Sequence, residues 1–408
     1  MSLIIDCGAH TIKAGLSSHT SPLIIPNYIA RTKLDRNKSY VGSEVLSRTD
    51  MGGLLMLLAF QKGYLVNWDV ERQVLDHLLG PSHLGINPQE TDLVLSEPPF
   101  NFSSIRDTLD EILFEEYGFR NVTRATSANL SAFHFHTEHP ESPSCMVIDS
   151  GFSFTHILPF CGLIPVTNGF IRIDVGGKFL TNQLKDLISY RQINVSDETY
   201  VINQVKEDTC FVSGDLYKEM KVCRDEMTAF RDTNRFPNSG IFIRYILPDF
   251  AGTNRGYIHD PLSKEACPPD RTLSLGNERF SVPELLFNPS DIGLDQMGLS
   301  ESVQLSLKRT PPLMCESLTK NIILTGGNTL FPGFKDRLNA ELRASLLSIH
   351  DLNVTLPIGP ISYSWEGGKR LANTELSSRP IPLTPLTFQS YMEMGHNAWN
   401  AKSFPLFS

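Results

Sequence analysis

Leu3-Ile4-Ile5-Asp6-Cys7-Gly8 and Met146-Val147-Ile148-Asp149-Ser150-Gly151 are one phrase written twice in the same chain. In each copy an apolar, β-branched run ends in Asp, one residue and Gly. Seven residues after each Asp a polar side chain closes the following segment, Lys13 in the first copy and His156 in the second. Each copy reads as a strand, a tight Gly turn and a returning strand. A Gly turn lets backbone N–H groups point at an anion, and an Asp at a strand end can hold a hydrated metal ion. Two such hairpins facing one another would grip a nucleotide's phosphates between two lobes. A third strand running into a Gly pair, Ile322-Ile323-Leu324-Thr325-Gly326-Gly327, strengthens this reading. The spacing is far too long for a solenoid repeat, so duplicated halves explain it better.

The 408 residues exceed what one hydrophobic core usually supports, and two lobes are expected. A hydrophobic content of 41% is ordinary for a globular chain. The longest strongly apolar run, residues 54–60, is too short to cross a bilayer. The N-terminus, with its early Asp6, does not read as a signal peptide, so cytosol or nucleus is expected, with no membrane partner. Seven scattered cysteines, none in a C-x-x-C pair, argue for a reducing compartment and against a structural metal or a disulfide framework. The net charge of −9, with no block of Lys or Arg, disfavours nucleic-acid binding by the surface as a whole.

Along the chain, 31–40 reads as an exposed polar loop. Residues 68–79 carry apolar side chains at helical spacing and stop at Gly80-Pro81. A strand is expected at 91–96, and an amphipathic helix at 103–117 with acidic residues on its outer face and Gly118 as its stop. Helices are expected at 179–190, at 197–208 after a capping Asp197, and from Pro332-Gly333 through 342. Trp365-Glu366-Gly367-Gly368 reads as a turn leading into a helix. From 221 to 275, Pro, Asn, Asp and Gly punctuate short apolar pieces, so this stretch reads as a partly irregular insertion. Alternating strands and helices give an α/β class.

With these phrases in order, the chain resembles an actin-related protein, most closely those of the actin-related protein 6 subfamily. Ile5-Asp6-Cys7-Gly8-Ala9-His10-Thr11-Ile12-Lys13 resembles the first phosphate loop of actins, and Val147-Ile148-Asp149-Ser150-Gly151-Phe152-Ser153-Phe154-Thr155-His156 the second. Leu324-Thr325-Gly326-Gly327-Asn328-Thr329-Leu330-Phe331 resembles the adenosine-side turn. Phe60-Gln61-Lys62-Gly63-Tyr64-Leu65-Val66-Asn67-Trp68-Asp69 and Ile202-Asn203-Gln204-Val205-Lys206-Glu207-Asp208 are closer to the subfamily. The resemblance implies an actin-like fold: two ribonuclease H-like lobes, each with a smaller subdomain, around a nucleotide cleft. The first lobe would comprise 1–126 and 360–408, with a small subdomain at about 28–60. The second would comprise 127–359, with a small subdomain at about 178–275 and an insertion at about 221–270.

The resemblance also implies a nuclear subunit of SWR-type chromatin remodellers, the ATP-dependent machines that exchange a histone variant into nucleosomes. Its partners there would be the remodeller's ATPase chain and a zinc-finger HIT-type subunit, with nucleosome contact made as part of the complex. Cytoplasmic residence stays open. Matched residue by residue, Asp6, Gly8, Lys13, Asp149, Gly151, His156, Gly177, Lys206, Glu207, Gly326, Gly327 and Phe331 would line an ATP or ADP site. Asp6 and Asp149 would hold magnesium through water, and Lys13 would neutralise phosphate charge.

Other positions depart from the family pattern. Ala9 and His10 replace a Ser and a Gly, removing a hydroxyl and adding bulk where backbone should approach phosphate. Phe152-Ser153 replaces Asp-Gly. Ser127 stands where actins have the Gln that orients the attacking water, and Ile361 where a Lys lies beside adenine. A short hydroxyl is poorly suited to orienting that water, so hydrolysis is not expected, nucleotide binding stays open, and no residue is assigned a catalytic role. The alternative is a nucleotide-hydrolysing actin-like switch; Ala9, His10, Phe152 and Ser127 disfavour it. The segment between Ile25 and Tyr40 is too short for the loop by which actins grip the next subunit, so self-polymerisation is not expected. His134, His136 and His139 have metal-like spacing but read better as a solvated helix end. Ile241-Phe242-Ile243 reads either as an exposed docking surface or as a strand completing the small subdomain.

Overall fold

The computed structural model describes residues 1–32, 38–47, 53–233, 240–250, 253–260, 268–346, 351–375, 378–379 and 383–396. Both copies of the opening phrase are hairpins. Strand Ser2–Cys7 pairs antiparallel with Thr11–Leu16, placing Asp6 opposite Lys13. Strand Ser144–Ser150 pairs antiparallel with Thr155–Cys161, placing Asp149 opposite His156 in the same register. Each hairpin then takes a parallel neighbour, Asp92–Glu97 in the first half and Ile322–Thr325 in the second. The halves are thus two sheets built to one plan, with the Asp-containing strand in the interior of each.

Interior strands of such sheets are buried on both faces, which is why both runs are continuously apolar. Leu3, Ile4 and Ile5 are fully enclosed, as are Met146, Val147 and Ile148. Two large cores result, one around Ile5, Ile12, Leu78 and Phe114, the other around Ile148, Ile157, Leu184 and Leu324. Helix Ser127–Glu138 joins the sheets. Leu130 and Phe133 pack with Ile4 and Val94 of the first half, whereas Ala128, Ala132 and Phe135 pack with Cys145 and Val147 of the second.

Crossing it is helix Tyr363–Asn373. Here Gly367 and Gly368 are interior helical residues and not the expected turn. A Cβ on Gly367 would lie 1.9 Å from the Leu130 carbonyl oxygen, and one on Gly368 would lie 2.7 Å from Ile4. Close approach of two helices, and not chain reversal, accounts for this Gly pair.

Small antiparallel sheets sit outside each half. Ser39–Val41, Tyr28–Thr32 and Leu54–Leu58 form one, so strands extend into both ends of the expected 31–40 loop; residues 33–37 and 48–52 lie outside the described residues. Tyr257–Ile258, Ile243–Ile246 and Thr272–Leu275 form the other. The 221–275 stretch is therefore more regular than expected, opening inside the 18-residue helix Leu216–Thr233. Phe242 is buried and Ile243 pairs with Leu275, so this piece completes a sheet and is not an exposed docking surface.

Helix Trp68–Leu79 has the expected bounds, with the Asn67 side chain accepting from the Val70 amide. Helix Gly177–Arg191 begins slightly earlier than expected, and Thr199–Thr209 has Glu198 at its N-cap position. Residues 103–117 divide into helix Ser103–Asp110 and a π-helical segment, Glu111–Glu116, whose wider winding turns Ile112, Leu113 and Phe114 inward together. Asp110, expected on the outer face, is 1% exposed and pairs with Arg124 at 3.2 Å. Among the described residues no helix is long and apolar enough to cross a membrane.

Candidate functional site

The hairpin ends meet across one cavity of about 570 Å³, within the range of small-molecule sites. All twelve residues singled out from the sequence border it: Asp6, Gly8, Lys13, Asp149, Gly151, His156, Gly177, Lys206, Glu207, Gly326, Gly327 and Phe331. They come from both halves, because each sheet delivers its Asp at the end of an interior strand.

The floor is acidic. Asp6 is 7% exposed and accepts from the Ser96 hydroxyl at 2.6 Å, with Lys13 Nζ 3.9 Å away. Ser96 also accepts from the Cys7 amide, fixing the start of the turn. Asp149 accepts from Ser127 Oγ at 3.0 Å. Burial, reinforced by the nearby Asp6 carboxylate, pushes the Asp149 carboxyl above its ordinary range. A buried carboxylate whose ionisation is opposed by a second acid beside it is the donor arrangement a hydrated divalent cation would relieve, so the site fits magnesium chemistry.

His156, opposite Asp149, is 4% exposed and held down to about 3 by burial and then by the Arg172 charge. It is a neutral imidazole at pH 7. Its Nε2 has no hydrogen-bond partner among the described residues.

On the nucleoside side the Lys206 ammonium donates to the Gly177 carbonyl, Thr181 Oγ1 and Asn203 Oδ1 at 3.2, 3.0 and 2.9 Å. Its three protons tie two helices together, and burial lowers it to about 8. Lys206 is thus a cross-brace beneath the cavity wall. Glu207 accepts from Asn203, and Ile361 lines the same cavity. Gly326 has φ of 89°, and a Cβ there would lie 2.3 Å from the Ser150 carbonyl oxygen, so this turn requires glycine.

Sequence reasoning missed several members. Ser96 carries no motif of its own, and its place at a strand end before Pro98-Pro99 was the only signal. Asn328 lies inside the quoted third turn and donates to the Gly151 carbonyl at 2.8 Å, tying that turn to the second hairpin. The Cys7 thiol donates to Glu71 at 3.0 Å, and burial raises Glu71 to about 7. Least foreseeable was the fate of the two altered tips. His10 and Phe152 stack on one another at 4.6 Å between ring centroids and 23° between planes.

The three histidines at 134, 136 and 139 do not converge. His134 is buried on the edge of Tyr363, His136 faces Cys145 Sγ, and His139 lies against Phe135. His134 is therefore a core residue and not part of a solvated helix end. Among the described residues no group of His, Cys, Asp or Glu side chains is arranged to ligate a metal directly.

Comparison with known proteins agrees with this geometry. The actin family pattern matches residues 1–404. Actin-related protein 6 of Drosophila melanogaster is 41% identical over 378 residues, covering 91% of this chain and 93% of that protein. Actin-related protein 6 of Arabidopsis thaliana is 33% identical over 425 residues, covering 96% and 97%. Actin-related protein 6 of Dictyostelium discoideum is 32% identical over 475 residues, covering 98% and 94%.

Proposed function

The chain belongs to the actin family, as a protein of the actin-related protein 6 type, and on that premise we propose that it is a non-catalytic scaffold. It serves as a nuclear subunit of a SWR-type chromatin remodeller that exchanges a histone variant into nucleosomes. There it bridges the remodeller's ATPase chain and a zinc-finger HIT-type subunit.

The observation that carries the non-catalytic part is Ser127. Its hydroxyl is engaged by Asp149 at 3.0 Å, so it is turned toward the metal-side carboxylate and is not extended over an attacking water. Orienting that water for in-line attack needs a longer side chain. His156, buried and neutral with its pKa held down by burial and the Arg172 charge, is a poor proton acceptor at pH 7.

Adenine nucleotide with magnesium is the ligand this cleft is suited to hold. Asp6 and Asp149 would carry the metal's water shell and Lys13 would face the phosphates. A bound metal would supply charge neutralisation between the two carboxylates. In this reading the nucleotide is a resident ligand and is not consumed.

Co-purification tests the scaffold role. The full chain, tagged and expressed with the ATPase chain and the HIT-type subunit, should retain both through gel filtration, and Asp149→Ala should retain them equally. Loss of both partners from the wild-type chain would contradict the proposal.

A further inference from the structure

We propose that the two lobes are clamped shut by side chains along the rim of the cleft, so that closure does not depend on a bound nucleotide. In an actin-type cleft the phosphates lie between the two hairpin tips. Here the residues that depart from the actin pattern at those tips, His10 and Phe152, stack directly on each other across the gap.

The seam continues in both directions. On one side the Phe154 ring of the second lobe lies over Gly63, where a Cβ would sit 1.9 Å from it. The Arg172 guanidinium covers that ring at 3.8 Å and donates to Tyr64 Oη of the first lobe at 2.8 Å. Asp174 fixes Arg172 at 2.7 Å. On the other side Tyr200 and Phe250 of the second lobe pack on the first lobe's cluster of Tyr28, Ala30 and Leu54. At the far end the Gly53 amide donates to both carboxylate oxygens of Glu198 at 3.1 Å.

A separate observation points to the same rim. Among the described residues, three non-glycine residues have positive φ: Lys62 at 47°, Phe100 at 59° and Phe250 at 57°. Lys62 leads into the turn under Phe154, Phe100 meets His156 and Phe170 of the second lobe, and Phe250 is in the cluster just described. Backbone strain of this kind persists only where the surrounding packing over-determines it. At Lys62 it belongs to the two-residue hairpin turn between Phe60–Gln61 and Tyr64–Leu65; at Phe100 and Phe250 it falls where side chains of the two lobes pack.

The clamp goes beyond the scaffold role and does not rest on nucleotide binding. Its test is on the isolated full chain, whereas the scaffold role is read by co-purification, so either can fail alone. The chain is stripped with EDTA and apyrase, then compared with and without added MgADP by small-angle scattering and amide exchange. The radius of gyration and the protection of the rim residues 53–58 and 198–201, away from the hairpin tips, should be the same in both. His10→Gly with Phe152→Asp should speed exchange in both hairpins by about tenfold. Arg172→Gln, outside both tips, gives an independent reading at residues 60–65 where the double variant fails to fold. Expansion on stripping that MgADP reverses would overturn the proposal, as would wild-type exchange rates in the variants.

Discussion

The two phosphate hairpins share a backbone and differ in almost everything else. Asp6 and Asp149 occupy equivalent register positions, opposite Lys13 and His156. In the first half a cation faces the carboxylate, and a strand-end hydroxyl, Ser96, fixes it. In the second half a neutral, buried imidazole stands there, and Ser127 from the connecting helix fixes the carboxylate. The two copies share what the sheet requires: an apolar interior strand, a turn and an Asp at its end. They do not share the charge opposite that Asp, nor the tips, where His10 and Phe152 pack on each other. Shape and chemistry have come apart.

Exchanging the opposing residues would break this comparison most severely. His156→Lys places an ammonium in a fully buried position already within the field of Arg172. It should cost about 3 kcal/mol or more, measured by chemical denaturation. Lys13→His, in the more polar first hairpin, should cost only about 1 kcal/mol. Equal costs would mean that the two positions are alike after all.

Acid sharpens the contrast at smaller amplitude. The folded pKa of His156, about 3, lies below the ordinary 6.5, so the unfolded chain takes up a proton that the native state refuses. Its stabilising contribution is complete above pH 6.5 and falls on acidification by up to about 1.4 kcal/mol per pH unit until about pH 3. His10 and His134, each held to about 4, act in the same direction, while Glu71, raised to about 7, opposes them between pH 7 and 4.5. His156→Asn should therefore flatten the decline by about one proton's slope in urea melts between pH 6 and 4.5. An unchanged slope would place the imidazole in contact with solvent.

Local signals carried most of the fold. Strands 2–7 and 144–150 announce themselves by β-branched runs, and helix 68–79 by its spacing and its Gly80-Pro81 stop. The lining of the cavity was legible to a similar degree, since all twelve chosen residues border it and all but Gly177 belong to a quoted phrase. What failed depended on residues distant in sequence. Gly367-Gly368 obeys the turn rule locally, yet it exists because the Leu130 carbonyl lies against it. Asp110 looked solvated because nothing nearby in sequence announces Arg124. The polar helix at 216–233 has too few apolar positions to stand out beside the punctuated stretch that follows. The stacking of His10 on Phe152 joins two turns that no local pattern connects. Singly, each ring looks only like an obstacle to phosphate; side by side, they hold the two hairpin tips together.

The smallest expected effect is none at all, and it bears on the central claim. Purified full-length protein, mixed in excess over γ-labelled ATP and magnesium in a single-turnover experiment, should release no phosphate above a buffer blank. A burst of phosphate that disappears in Asp149→Ala would show that the cleft has kept its chemistry along with its shape.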